Sequence, residues 1–194
     1  MNSVSPIAVI ASIIFAALPG RSANGITIRP LVDREWEAAL PAASKVGGFD
    51  LTKIDDGLCD EFAKAWRVSS NGSTGEEGLV LVFRMVGGRY AGRSLGATSE
   101  RLKFTFKWVP NAIAIVHTHP NHRPPQPSEG DELIAIKYGV PIFTITATGM
   151  FVFDPETRQT RKVMEGLDWL DPSNFTGLSL LRFVTDAHPS ATLQ

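Results

Sequence analysis

The sequence predicts an α/β layer fold carrying a mixed β-sheet. Two observations lead to it. Helix-like and strand-like segments interleave along the chain, in the order helix, hairpin, strand, helix, hairpin. Two joints between apolar runs carry tight-turn residues, Gly87-Gly88 and Asp154-Pro155-Glu156-Thr157, and hairpins of that kind impose antiparallel neighbours.

Ile26-Thr27-Ile28 reads as a short strand and 33–43 as a helix started by Asp33 and interrupted at Pro41, with Gly47-Gly48 as a break. Segment 55–68 is a helix, because Leu58, Phe62, Ala65 and Trp66 share a face at 3.6-residue spacing. A polar, glycine-bearing loop over 69–75 ends it. Strand 78–86 is made mostly of Leu, Val, Phe and Met, and 89–95 returns beside it after the Gly87-Gly88 turn, where glycine reaches positive φ without steric cost. Phe104, Phe106 and Trp108 alternate with Thr105 and Lys107 in an extended segment stopped by Pro110. Residues 112–116 form a buried strand. Loop 121–127 contains Pro124, Pro125 and Pro127 and excludes regular structure. Helix 128–138 follows, with Ser128 as N-cap and Gly139 just past its end. Strands 141–147, 150–153 and 158–163 complete the pattern, and little periodicity remains beyond Gly166.

Composition sets the outer limits. The chain has 194 residues, 43% apolar and 20% charged, a globular balance that argues against disorder. The formal net charge is -1, from 19 basic and 20 acidic residues, so no basic surplus points to nucleic acid as a partner. Residues 6–18 are almost wholly apolar and are followed by Pro19-Gly20-Arg21-Ser22-Ala23. That length suits the core of a signal peptide and falls short of the ~20 residues a membrane span needs. The expectation is a leader over residues 1–22, cut after Ser22, and a secreted or periplasmic chain with no stable membrane span once the leader is gone. Cys59 is the only cysteine, which excludes an intrachain disulfide and fits a buried small hydrophobe on a helix.

The residues most informative about function are His117-Thr118-His119-Pro120, at the end of the apolar run 112–116. Imidazoles at i and i+2 on an extended backbone point the same way. Neutral imidazole is a favoured zinc ligand, and a carboxylate a dozen residues on can complete a three-ligand site with one open position, as a hydrolytic metal needs. Asp131 offers that carboxylate from the first turn of helix 128–138. Ser128-Glu129-Gly130-Asp131 is also a capping motif in its own right. The two roles are compatible, since the Ser128 hydroxyl can cap the helix and face the open position. Such a site also needs a proton acceptor. Glu76 and Glu77 stand just before strand 78–86, and because adjacent strand residues point to opposite faces, only one of them can serve.

This pattern resembles the JAB/MPN metalloprotease family, also called JAMM. Its motif is an upstream glutamate, then His-x-His-Pro, then Ser-x-x-Asp after a short loop. Here that is Glu76 or Glu77, His117-Thr118-His119-Pro120 and Ser128-Glu129-Gly130-Asp131, with the loop 121–127 slightly longer than the family's commonest spacing. The resemblance spans residues 55–155. It implies an α/β fold with a JAB/MPN-like (cytidine-deaminase-like) mixed β-sheet flanked by helices. It implies Zn2+ held by His117, His119 and Asp131, a glutamate as general base, and Ser128 polarising the scissile carbonyl or stabilising its oxyanion. The glutamate role falls first on Glu76, because Glu76-Glu77-Gly78 is similar to the Glu-x-Gly that leads into the strand in some bacterial members; Glu77 matches equally well by position.

The implied activity is zinc-dependent hydrolysis of a peptide or isopeptide bond. A small domain behind a leader is similar to bacterial secreted members, with a protein or peptide as substrate, a cell-wall peptide among the candidates. The domain plan is then a signal peptide over 1–22, an N-terminal extension over 23–54, the metal-dependent hydrolase domain over 55–165 and a tail over 166–194. The alternative is a non-catalytic MPN-like interaction or scaffold module, which a metal assay separates from the hydrolase. A zinc deaminase is excluded, because its Cys-x-x-Cys element cannot be built from one cysteine.

Overall fold

The structure is a computed structural model that describes the backbone of residues 10–14 and 103–105 and all atoms of 44–98 and 106–171. The strand expected at 26–28 and the helix expected at 33–43 lie outside the described residues. In chain order the strands are β1 (Ile10–Ile14), β2 (Lys45–Val46), β3 (Phe49–Asp50), β4 (Gly78–Arg84), β5 (Tyr90–Ala97), β6 (Lys103–Lys107), β7 (Ala112–Thr118), β8 (Ile142–Thr146), β9 (Gly149–Asp154) and β10 (Gln159–Glu165). The α-helices among the described residues are α1 (Asp56–Val68) and α2 (Glu129–Tyr138).

Six strands form one mixed sheet in the order β10-β9-β8-β7-β4-β5. Neighbours are antiparallel except β7 and β8, which run parallel. A parallel pair needs a crossover, and α2 lies within the connection that makes it. The α/β class expected from the interleaved elements is therefore present, as a mixed sheet flanked by two helices. Strand β1 pairs with β6, from Ile10↔Lys107 to Ile14↔Lys103, in a separate ribbon. These five residues belong to the apolar run 6–18. No helix among the described residues is long and apolar enough to cross a membrane.

Strand parity sorts the apolar side chains into two layers. On one face Val80, Val82, Ala114, Val116, Phe143 and Ile145 pack against Leu58, Cys59, Phe62 and Trp66 of α1. On the other, Leu79, Leu81, Ile115 and Ile142 pack against Ile134 and Ala135 of α2. Both helices start where local chemistry says they should. The Asp55 carboxylate accepts from Leu58 N at 3.0 Å at the start of α1, and Gly139 ends α2 in the left-handed region at φ 65.

Two features depart from the sequence reading. The β4–β5 turn is a short 3-10 turn over Val86–Gly88, closed by Met85 N donating to Arg89 O at 2.8 Å, so β4 stops at Arg84 and Val86 is fully exposed. Residues on both sides of 55–165 enter the core: Val46, Phe49 and Leu51 from before it, Trp169 and Leu170 from after it. Trp169 packs edge-on against Phe62, and its carbonyl accepts from Cys59 Sγ at 2.9 Å. Burial, reinforced by Asp60, Asp56 and Asp171, pushes the Cys59 thiol up to about 12.

The layers approach closely at Gly78, where α1 crosses the start of β4. A Cβ there would lie 2.3 Å from Ala65 O, a backbone atom that cannot yield without moving the helix. Gly78→Ala is expected to cost about 3 kcal/mol, the upper end of overpacking penalties. Urea denaturation monitored by tryptophan fluorescence measures it, and an unchanged midpoint would disprove the contact.

Candidate metal centre

His117 is the penultimate residue of β7, and His119 comes just after the strand, its N–H donating to Ile145 O at 2.9 Å so that the extended course continues past it. The two rings therefore emerge on one face, both buried, with Nε2 atoms 3.0 Å apart. That face is the one covered by α2. Asp131, in the first turn of α2, is fully buried there and places Oδ2 3.5 Å from His117 Nε2 and 3.7 Å from His119 Nε2. Three residues separated along the chain thus bring three donor atoms to one point.

Which glutamate joins them follows from register. Leu79 pairs with His117 and Val80 with Val116. Continuing that antiparallel alignment sets residue 77 opposite 119, and parity puts Glu77 on the histidine face with Leu79. Glu77 is 1% exposed, and one of its carboxylate oxygens lies within 4.8 Å of a ring nitrogen on each histidine. Glu76, the first choice from the sequence, is exposed, with its N–H turned to Thr74 Oγ1 at 3.3 Å. This corrects the placement: adjacent strand residues cannot share a face, and the register selects Glu77. Gly78 N donates to Thr118 Oγ1 at 2.9 Å and Thr98 N to Glu77 O at 3.0 Å, so the backbone carrying Glu77 is tied on both sides.

The Pro-rich loop is held as firmly. Asn121 N donates to Gly72 O at 2.8 Å, Asn121 Nδ2 to Asn71 O at 3.1 Å, and Thr144 Oγ1 to Pro125 O at 2.5 Å. His119 Nδ1 lies 2.9 Å from Pro124 O. A carbonyl can only accept, so Nδ1 carries the proton and Nε2 presents its lone pair to the cluster, the arrangement a metal ligand needs. Ser128 forms a full capping box with Asp131. Ser128 N and Oγ each donate to Asp131 Oδ2 at 2.7 Å, and Asp131 N donates back to Ser128 Oγ at 3.3 Å. His122, also in the loop, is exposed.

The electrostatics suit a cation. Burial pushes the His117 imidazole down, against the pull of Asp131, which favours the neutral ring that binds metals. Burial opposes the charge on Asp131, yet the neighbouring imidazoles hold its carboxyl well below the usual carboxylate range. Glu77 has no such support: burial first, then the Asp131 charge, raise it to about 9, with Arg123 pulling the other way. Glu77 Oε2 and Asp131 Oδ1 are both buried with no hydrogen-bond partner among the described residues. Buried acceptors left so are costly unless something completes them. Two donors on a tetrahedral ion with ligand bonds of ~2.0–2.1 Å sit ~3.3 Å apart. The observed separations of 3.0, 3.5 and 3.7 Å bracket that value, so His117 and His119 with a carboxylate, from Asp131 or Glu77, could hold one divalent metal. No protein-family model, curated protein or solved structure matches this chain, and the site stands on its own geometry.

In the metal-free protein Glu77 titrates from 4.5 in the unfolded chain to about 9 in the fold. The folded state then holds the proton more tightly, so stability is greatest below the ordinary carboxylate range and declines as pH rises through about 9. Glu77→Gln is expected to flatten that decline, giving a higher melting temperature than the metal-free parent at about pH 8 and little difference at about pH 4. Parallel pH profiles for the two proteins would contradict the buried placement.

Proposed function

We propose that this chain is a zinc-dependent hydrolase of the JAMM type, cleaving a peptide or isopeptide bond of a protein or peptide substrate. The observation that carries the reading is the convergence of His117, His119 and Asp131 on one point, with the buried Glu77 carboxyl beside them. When bound, zinc would lower the pKa of a coordinated water and polarise the carbonyl under attack.

The chain's own residues supply the remainder. Glu77 as carboxylate accepts a proton from the attacking water and later delivers it to the departing nitrogen. Its desolvated position makes it a stronger base than a solvated glutamate, provided a nearby positive charge keeps it ionised. Ser128 holds the Asp131 carboxylate with two hydrogen bonds, and Pro124 O sets the His119 tautomer. The ordinary role of the apolar run 6–18 is export, with a cell-wall peptide as one substrate such a location offers.

One zinc per folded chain is expected by elemental analysis, with His119→Ala and Asp131→Asn losing it. Glu77→Gln is expected to keep the zinc and lower turnover by about 100-fold or more, read by mass spectrometry of a digested peptide mixture. Glu76→Gln is expected to behave as the parent. A chain that folds and takes up no zinc, or a fully active Glu77→Gln, would reject the reading. For export, the N-terminus recovered from outside the cytoplasm is expected at Ala23.

A further inference from the structure

Ser128 has one hydroxyl proton, and that proton is engaged. Its Oγ donates to Asp131 Oδ2 at 2.7 Å while accepting from Asp131 N at 3.3 Å. Turning the hydroxyl towards a substrate would open the cap of α2 and remove a bond from the Asp131 carboxylate. When water adds to a carbonyl, charge gathers on the carbonyl oxygen, and a preorganised donor aimed at that oxygen is usually the largest source of rate. The capping box leaves this post unfilled.

Arg123 is the charged donor that the same loop offers, and its charge reaches Glu77. It lies four residues after His119 in the loop that closes the site. Its N–H donates to Pro120 O at 2.9 Å, and the carbonyl of the next residue lies 2.9 Å from His119 Nδ1, so the backbone on both sides of Arg123 is fixed beside His119. The side chain is half-buried. Among the described residues its buried Nε has no hydrogen-bond partner, and no carboxylate forms an ion pair with it. A guanidinium remains charged at every relevant pH and always donates. A buried N–H without an acceptor is destabilising unless a ligand completes it. The charge also acts on Glu77, which sits among the same groups.

We propose that Arg123, rather than Ser128, donates to the substrate oxyanion in this chain, an inference that rests on the hydrolase reading. The water oxygen bonds to the carbonyl carbon, the carbonyl π pair moves onto its oxygen, and the released proton goes to Glu77. Arg123 keeps its own proton and gives the oxyanion a charge-assisted hydrogen bond. As the C–N bond breaks, the oxyanion pair re-forms the carbonyl and the Glu77 proton passes to the nitrogen. The products are a carboxylic acid and an amine.

Inorganic phosphate, a tetrahedral oxyanion, is the probe. It is titrated calorimetrically into the zinc-loaded full chain, with zinc content and melting temperature recorded for each variant. Arg123→Ala is expected to weaken phosphate binding about tenfold or more, as loss of a charge-assisted bond does, with zinc content unchanged. Arg123→Lys recovers part of the affinity, keeping the charge without the planar fork. Ser128→Ala lowers the melting temperature through the lost cap and, in chains that still hold zinc, weakens phosphate binding less than Arg123→Ala does. Should Arg123→Ala not fold, Arg123→Gln preserves the bulk and gives the same reading. Phosphate affinity that survives loss of Arg123, that falls with Ser128→Ala instead, or that is absent from the zinc-loaded parent overturns the inference and leaves the metal site standing. Failure to take up zinc is recognised separately from the metal content; it removes the hydrolase reading and this inference with it.

Discussion

The pairing of Leu79 with His117 in the β4–β7 ladder is the alignment on which the site depends. Side chains on a strand alternate with a period of two, so a slip of one residue would send the histidines or the glutamate to the opposite layer. As aligned, Leu79 and Leu81 bury against α2 on the face that receives Glu77, His117 and Asp131. Apolar packing and the ionisable cluster are thus set by one decision. The parallel neighbour β8 fixes the other edge of β7, with His117 opposite Thr144, and the crossover brings the first turn of α2 over the strand end.

Holding this cluster is expensive. Two carboxylates and two imidazoles share a volume from which water is excluded, and a buried charge is tolerated only when paired and hydrogen-bonded. Asp131 meets that demand at Oδ2. It sits at the positive end of a helix, with two bonds from Ser128. Glu77 does not, and its raised pKa reports the shortfall. A divalent cation would reverse the sign of the local field and favour both carboxylates in their charged form. Destabilised ionisable groups in a rigid frame are what a binding site looks like before its ion is considered.

Local signals were the ones legible in the sequence. Ser128 reads as a cap because capping is a short-range hydrogen bond, and Gly139 reads as a helix end because few other residues accept positive φ there. The histidine pair is legible from period-two geometry, and Asp131 from its helix position together with its spacing from that pair. The choice between Glu76 and Glu77 was not, since it depends on how two distant strands align. Trp169 escaped for a related reason: a lone aromatic in an aperiodic segment gives no sign that its ring fills the space beside Phe62. The end of β4 is not legible either, because Met85 and Val86 look like strand residues and yet the ladder ends at Arg84.

Cys59 has a practical consequence. Its sulfur is sealed beneath α1, bonded to the Trp169 carbonyl, and its pKa of about 12 leaves almost no thiolate at neutral pH. Nucleophilicity resides in that anion, so alkylating reagents and oxidants find nothing to attack while the molecule is intact. The residue becomes a built-in clock for global opening: the rate at which a maleimide marks it reports how often the helix and the C-terminal tryptophan part company, without any engineered label.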